Sequence, residues 1–90
     1  RAAQRQHVRD LDRLARLGPG GAPDRPIAVD SPPVVDVMAE ARPCPLCEGS
    51  LRLVEHAAET REGQRLRVAR VRCTSCGIVR EIYFRLPLVN

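Results

Sequence analysis

Four cysteines in two matched pairs are the residues of this 90-residue chain whose spacing suits chemistry. Cys44 and Cys47 form one C-x2-C pair, and Cys73 and Cys76 form a second pair after 25 intervening residues. Two residues between thiolates allow both sulfurs of a pair to reach one ion, at about 2.3 Å each for zinc. Two such pairs complete a tetrahedral shell of four sulfurs, which selects zinc or iron. The spacing therefore predicts a metal site.

Glycines close behind both pairs strengthen this prediction. Glu48-Gly49 follows the first pair, and Gly77 follows the second. A small residue just past the second cysteine lets the backbone fold under the metal, where its N–H groups can hydrogen-bond the thiolates. The pattern thus predicts two metal-binding knuckles, each at a strand end, separated by a hairpin-sized segment.

The order CPLCEG, hairpin, VRCTSCG, strand resembles a zinc ribbon, a small β-sheet fold built on two knuckles. The resemblance covers residues 43–86, about half of the chain. It implies that Cys44, Cys47, Cys73 and Cys76 bind one structural Zn²⁺ per chain. Zinc ribbons bind nucleic acids, make subunit contacts or form lobes of enzymes. The resemblance therefore predicts which metal is bound much better than it predicts the function.

Three other uses of the cysteines compete with zinc. Disulfides suit small secreted chains, but paired C-x2-C knuckles are a metal pattern. A rubredoxin-like iron site uses the same four ligands, but such domains usually pack aromatic rings around the metal, and this chain has only Tyr83 and Phe84. A thioredoxin-type redox pair needs a βαβ context that the sequence pattern lacks.

The remaining polar residues form no recognisable catalytic arrangement. Four thiolates fill the coordination shell, so no open position remains for a catalytic metal. His56 is interpreted as a surface residue or a hydrogen-bond partner, and His7 as a solvated residue. The serines have no paired histidine or aspartate at a recognisable spacing, and no glycine-rich phosphate loop follows a strand. We therefore expect no enzyme activity.

Arginines crowd the second half of the chain and form a candidate nucleic-acid surface. Alternation along a strand places Arg65 and Arg67 on one face and Arg70 and Arg72 on the other. Such a face suits phosphates, whereas the interspersed glutamates suit cross-strand pairs that absorb the charge. The near absence of aromatic residues argues against a single-strand platform. The candidate contacts are Arg52, Arg65, Arg67, Arg70, Arg72 and Arg80.

Two segments precede the predicted ribbon. Residues 1–17 are predicted to form an amphipathic helix that Gly18-Pro19 ends. This helix needs a packing partner, which is the rest of the domain, a second copy of the chain or a different protein. Residues 18–33 form a Pro/Gly-rich connector, with one short strand at residues 27–29.

Residues 34–90 are predicted to form the zinc ribbon domain. Residues 34–42 alternate with a period of two and are predicted as a strand, and a helix capped by Ser31 with Pro32 in its first turn is the competing interpretation. Residues 51–57 are predicted as a strand with Leu51, Leu53 and Ala57 on one side and His56 opposite. Further strands are expected at residues 65–72 and 78–86, with a turn at Glu62-Gly63 before the first of them. In the last strand, the residues expected on one face are Ile78, Ile82, Phe84 and Leu86.

Composition explains why a metal would be needed. The chain is 43% hydrophobic but only 2% aromatic, so its core must be thin. Its net charge is +4, with every basic residue an arginine. Zinc bound by four thiolates changes that charge to about +2, which weakens the attraction to anionic partners.

No stretch is apolar enough to span a membrane. No secretory signal is visible in RAAQRQHVRD, and this favours a cytoplasmic location.

We therefore expect a small mostly-β zinc-stabilised domain, an antiparallel zinc ribbon of three to four strands with one N-terminal α-helix. The predicted function is a protein-interaction or scaffolding module with a structural zinc site. Its partner is a protein or, through the N-terminal helix, a second copy of the chain. The alternative is nucleic-acid binding through the arginine-rich strands, and a rubredoxin-like electron carrier is a third interpretation.

Overall fold

A computed structural model describes residues 2–87 of the chain. Arg1 of the predicted helix segment and residues 88–90 of the predicted ribbon lie outside the described residues. The described residues form four strands and two helices, so the prediction of a small mostly-β domain is confirmed. The elements in chain order are α1 (Ala2–Leu17), β1 (Ile27–Ala28), α2 (Pro32–Ala41), β2 (Leu51–Arg61), β3 (Gln64–Cys73) and β4 (Val79–Arg85).

The sheet is an antiparallel meander of β2, β3 and β4 with β1 added at one edge, in the order β1-β4-β3-β2. The turn between β2 and β3 is the predicted Glu62-Gly63, whose φ angles of 52° and 79° are both positive. Two such residues make a turn whose twist matches that of the flanking strands. The short strand β1 runs parallel to β4, with Ile27 opposite Phe84. Part of the predicted connector therefore forms the edge strand β1 of the sheet.

The prediction of a strand over residues 34–42 is wrong, because this segment belongs to helix α2. Ser31 is the N-cap residue, and prolines occupy the first helical positions, where their fixed φ suits a helix and their missing N–H costs nothing. Val35 and Ala39, both 0% exposed, are four residues apart. A spacing of four fits the period of a helix and that of a strand, so the apolar pattern alone did not distinguish them.

A β-bulge in β2 overturns the prediction of which side chains share a face. The register with β3 shifts between Leu53 and Glu55, which leaves Val54 as the extra residue. His56 therefore lies opposite Ala69, on the same face as Leu53 rather than on the opposite one. By the same shift, Ala57 leaves the Leu51–Leu53 side.

The two faces of the sheet have different surroundings. One face, called here the helix face, packs against α2 through β2 and β3, and no other helix packs on it as closely within residues 2–87. The other is called the open face. The helix face carries Leu51, Leu53, Ala69, Val71, Ile82 and Phe84. The open face carries Arg52, Glu55, Val68, Arg70, Arg72, Glu81 and Tyr83. The main core cluster consists of Val29, Val35, Ala39, Cys44, Leu51, Ala69, Val71, Cys73, Ile82 and Phe84.

Helix α1 forms where predicted but contributes little to this core. Its residues Val8, Leu14 and Leu17 are 46%, 64% and 57% exposed. An ion pair between Asp12 and Arg80 joins it to β4. Burial raises the pKa of the Asp12 carboxyl, but the Arg80 guanidinium outweighs this effect and holds the pKa below its ordinary value. Within residues 2–87, no helix is both long and apolar enough to cross a membrane.

Candidate metal centre

The first knuckle reverses the chain between α2 and β2. Pro43 and Ser50 pair as an isolated antiparallel bridge, which brings the two ends of the turn together. Within the turn, the Cys44 N–H donates to the Gly49 carbonyl at 2.9 Å, and the Glu48 N–H donates to the Cys44 carbonyl at 2.8 Å. Glu48 adopts a φ of 64°, a left-handed conformation that is costly for a residue with a Cβ atom. The chain accepts this strain where the turn must close.

The second knuckle repeats this backbone pattern position by position between β3 and β4. The Cys73 N–H donates to the Ile78 carbonyl at 2.9 Å, and the Gly77 N–H donates to the Cys73 carbonyl at 3.0 Å. Gly77 adopts a φ of 79° at the position that corresponds to Glu48. Glycine adopts this conformation without strain, so Gly77 suits the turn at this position.

Backbone N–H groups point at the sulfur of the leading cysteine in both knuckles. The Leu46 N–H donates to Cys44 Sγ at 3.4 Å, and the Ser75 N–H donates to Cys73 Sγ at 3.3 Å. The Cys76 N–H adds a third such bond, also to Cys73 Sγ, at 3.4 Å. Donors aimed at sulfur stabilise a thiolate, which is the form that binds a metal.

The two knuckles bring all four sulfurs together, as the cysteine spacing predicts. The four Sγ atoms lie within 4.8 Å of one another. Cys44 Sγ is 3.7 Å from Cys76 Sγ, and Cys47 Sγ is 3.4 Å from Cys73 Sγ. A tetrahedral ion with metal–sulfur bonds of about 2.3 Å separates its sulfurs by about 3.8 Å. The four cysteines are free, and their spacing fits a metal ion.

The sulfurs resist ionising together in the absence of a cation. Backbone N–H groups of Cys76 and Ser75 oppose the effect of burial and lower the pKa of the Cys73 thiol to about 6. The Gly49 backbone lowers the pKa of Cys47, but the neighbouring Cys73 sulfur and burial outweigh it and raise that pKa to about 12. One thiolate in the cluster therefore disfavours the next one. A bound dication removes this conflict because it attracts every thiolate.

Contacts between the knuckles hold the cluster closed. The Thr74 N–H donates to the Ser50 carbonyl at 2.9 Å, and the Thr74 hydroxyl donates to the same oxygen at 3.2 Å. A Cβ atom at Gly49 would lie 2.6 Å from Ser75 Oγ and 3.0 Å from Cys73 Sγ. Gly49 is therefore needed for close approach of the knuckles, a role that the sequence pattern only hinted at.

The histidines lie outside this cluster. His56 Nδ1 lies 2.7 Å from Asp36 Oδ1, so His56 joins β2 to α2 as a hydrogen-bond partner. Asp36 was not predicted as a partner of His56, because residues 34–42 were predicted to form a strand rather than helix α2. Among the described residues, no further group of His, Cys, Asp or Glu converges as the four cysteines do.

The six candidate nucleic-acid arginines do not form one surface. Arg80, only 11% exposed, pairs with Asp12, and Arg70 lies 3.4 Å from Glu55. The predicted alternation is confirmed: Arg65 and Arg67 lie on the helix face beyond α2, near the β2–β3 turn. Arg52 and Arg72 lie directly opposite each other on the open face, next to the second knuckle.

A scan against protein-family models finds no match, and searches of curated proteins and of solved structures find none either. What the molecule shows is thus a small mostly-β domain with four cysteines placed to hold one metal ion.

Proposed function

We propose that this chain is a zinc ribbon in which one structural Zn²⁺ is held by Cys44, Cys47, Cys73 and Cys76. The observation that carries the proposal is the convergence of four sulfurs from two knuckles with the same backbone hydrogen bonds. Bound zinc would cross-link the start of β2 to the end of β3. A shell of four thiolates leaves no open coordination position, so this metal would have no catalytic role.

Zinc is favoured over iron by what surrounds the sulfurs. Both metals accept four thiolates. Phe84 is the aromatic residue of the core cluster that includes Cys44 and Cys73, whereas Tyr83 belongs to a separate small cluster on the open face. The ring of aromatics that is usual around a rubredoxin-like iron is therefore not built here. A cytoplasmic location, where thiols stay reduced, completes the proposal.

Metal analysis tests the zinc proposal. Protein expressed in medium that supplies both zinc and iron should carry one zinc per chain, measured by native mass spectrometry and elemental analysis. Cys47→Ser should lose the metal without opening a hole in the core, because Cys47 is exposed. Ser50→Ala, an exposed change beside the same knuckle, should keep it. A red, iron-loaded protein, or metal retention by Cys47→Ser, would contradict the proposal.

We further propose that the module acts through protein contact, with helix α1 as the contacting element. Its Leu14 and Leu17 are three residues apart and 64% and 57% exposed, so they form an apolar patch that its own sheet does not cover. An amphipathic helix of 16 residues gains most of its stability from such packing. A second copy of the chain is the first partner to test, because α1 of one copy then covers α1 of the other.

Sedimentation velocity over a concentration series measures this association. Wild type should sediment as a dimer at high concentration, and Leu14→Glu should sediment as a monomer. Val37→Glu is the matched control, because Val37 is an equally exposed apolar residue on α2, at 69% exposure. A wild type that stays monomeric would exclude the second copy, and equal effects of both substitutions would exclude α1 as the contact.

A further inference from the structure

We infer that the outer edge of β2 binds an extended segment of a partner protein that is rich in lysine or arginine. This segment would add a fifth strand to the four-stranded sheet. The site is called here the β2 edge, and it consists of the backbone groups of residues 54–61 that point away from β3. It goes beyond the contact proposed for α1, because it uses no residue of that helix.

The first observation is that β2 is a long strand with one unpaired side. It lies at the end of the strand order β1-β4-β3-β2, and its 11 residues are about twice the usual length of a strand. Within residues 2–87, no backbone group outside β3 bonds to the backbone of residues 54–61. An uncovered edge of this length is a template for pairing with another chain.

The β2–β3 turn shows which backbone groups of this edge are free. Arg61 and Gln64 flank the two-residue turn, so they form a hydrogen-bonded pair. Alternation along the strand then directs the N–H and C=O groups of His56, Ala58 and Thr60 away from β3. These three positions offer six backbone groups to an added strand.

An outward backbone group at the start of β2 already has a partner. The Leu53 N–H donates to Glu40 Oε2 of helix α2 at 2.8 Å. Glu40 therefore covers the edge before the bulge, whereas the stretch from His56 to Thr60 has no such cover among the described residues. An extended segment of about five residues matches this uncovered stretch.

The charge beside the edge selects the chemistry of the partner. Residues 32–62 carry six acidic residues and three arginines, a net charge of −3, in a chain whose net charge is +4. Glu55 and Glu59 lie on the open face of β2. Their cationic partners lie on the inner side, since Arg70 belongs to β3 and Arg61 reaches across the sheet to β4. An added strand would thus meet the carboxylates first, and basic side chains on it would pair with them.

The same charge argues against other occupants of the β2 edge. Nucleic acid gains its affinity from cations that neutralise phosphates, and this side of the molecule carries an excess of carboxylates. A second copy would bring an identical edge, and two regions of net charge −3 repel each other. A basic segment of a different protein is therefore the occupant that the edge favours.

Amide exchange in the zinc-loaded full chain tests the site, with a seven-residue peptide of alternating lysine and threonine as the probe. In the free protein, the N–H groups of His56, Ala58 and Thr60 should exchange at least about tenfold faster than those of Ala57 and Glu59. Saturating peptide should slow exchange at the three outward positions by at least about tenfold. A peptide of alternating glutamate and threonine should leave it unchanged.

Two variants separate backbone pairing from charge in a peptide titration followed by NMR. Ala58→Pro removes one outward N–H and keeps the bonds to β3, so it should weaken peptide binding by at least about tenfold. Glu55→Gln/Glu59→Gln keeps side-chain size and should weaken binding by about threefold or more at low salt. The matched control Asp24→Asn/Asp30→Asn removes the same charge from the exposed connector. It should change binding by less than about twofold.

Four results would overturn the inference. They are absence of peptide-induced protection, wild-type binding by a folded Ala58→Pro variant, equal weakening by both charge variants, and equal binding of the glutamate peptide. Should Ala58→Pro not fold, the exchange pattern and the charge variants decide. A Leu14→Glu protein that still dimerises, and becomes monomeric when Ala58→Pro is added, would assign the edge to a second copy instead. Because the β2 edge contains no residue of α1, failure of the proposed α1 contact leaves this test unaffected.

Discussion

The two ends of the sheet are held by different means. At the cysteine end, comprising both knuckles, α2 and the strand residues beneath it, remote parts of the chain meet over a core that includes Cys44 and Phe84. At the hairpin end, comprising the β2–β3 turn and the strand residues next to it, Leu66, Val68 and Tyr83 form a small cluster on the open face. These three side chains are 3%, 3% and 7% exposed although α2 lies on the other face.

Polar side chains cover the cluster at the hairpin end. The Arg61 guanidinium lies 5.6 Å from the centre of the Tyr83 ring and 2.7 Å from Glu59. The Tyr83 hydroxyl donates to Glu81 at 2.8 Å. Long charged side chains can lay their apolar stems over such a patch while their charged ends stay in water.

The difference reflects the sequence distance between the parts that meet. A two-residue turn brings β2 and β3 together at little entropic cost, so cross-strand contacts suffice there. The first and second knuckles are separated by 25 residues, and few aromatic residues are available to hold them. The cysteines lie at the end of the sheet where the segments that meet are farther apart in sequence than at the β2–β3 turn, so a bound metal would contribute more there.

Loss of one of the four proposed zinc ligands should have the largest effect. Cys73→Ser should remove the stable fold at neutral pH, because structural zinc contributes about 10–16 kcal/mol and a small domain has only about 5–15 kcal/mol of net stability. Circular dichroism and amide exchange check this, and protection should vanish at Val71 and Ile82. Thr74→Val, in the same knuckle, should cost only about 0.5–1.5 kcal/mol. A Cys73→Ser protein that melts at the wild-type temperature would contradict the view that the cysteine end depends on a metal whereas the hairpin end does not.

The next largest effect should come from truncation of a buried side chain, and its size should differ between the two ends of the sheet. Phe84→Ala should destabilise the zinc-loaded protein by about 3–5 kcal/mol, because the ring is 0% exposed and leaves a cavity beneath α2. Leu66→Ala should cost nearer 2 kcal/mol, since its cluster is covered by long polar side chains that can close over the gap. Urea unfolding of the two variants measures the difference. Equal losses would indicate that the open face is packed as tightly as the core.

Tyr83 offers a smaller test of the polar cover. Tyr83→Phe should cost about 0.5–1.5 kcal/mol, measured by urea unfolding, because the hydroxyl loses its bonds to Glu81 and Arg61. Burial, and then the Glu81 carboxylate, raise the pKa of this phenol above its ordinary 10. The hydroxyl's contribution is therefore complete below that ordinary pKa and is lost as the pH rises through the raised one.

Ultraviolet absorbance follows this ionisation directly, because Tyr83 is the only tyrosine of the chain. Glu81→Gln should move the titration toward lower pH. A midpoint at or below 10 in the wild type would contradict the proposed cover of the ring.

The smallest expected effect concerns two strained turn residues, one at each end. Glu62 and Glu48 have φ angles of 52° and 64°, where asparagine is better tolerated than glutamate. Glu62→Asn creates an Asn-Gly turn and should stabilise the protein by about 0.5–1 kcal/mol. Glu48→Asn should give a similar gain, because the same backbone strain is relieved. Urea midpoints with unchanged slopes check both, and a loss of stability in either variant would show that its glutamate makes a contact that offsets the strain.

Local patterns account for the parts of the fold that the sequence predicted. The C-x2-C spacing indicated the four sulfurs, the Glu62-Gly63 pair indicated the turn, and alternation placed Arg65 and Arg72 on opposite faces. Each of these depends on neighbouring residues along one strand or turn. The prediction of a strand over residues 34–42 failed because the apolar spacing of this segment fits both a helix and a strand. Burial against β2 and β3 selected the helix.

The sequence by itself determined the four cysteines that could hold a metal, the hairpin and the shortage of aromatic residues that would make a metal valuable. Only the tertiary structure decided which face each side chain occupies beyond Val54, because a bulge depends on pairing with another strand. It also decided which arginines stay free: Arg80 and Arg70 acquire acidic partners from other elements, whereas Arg52 and Arg72 meet each other. Long-range pairing is the physical reason, since it brings together residues whose distance along the chain carries no local signal.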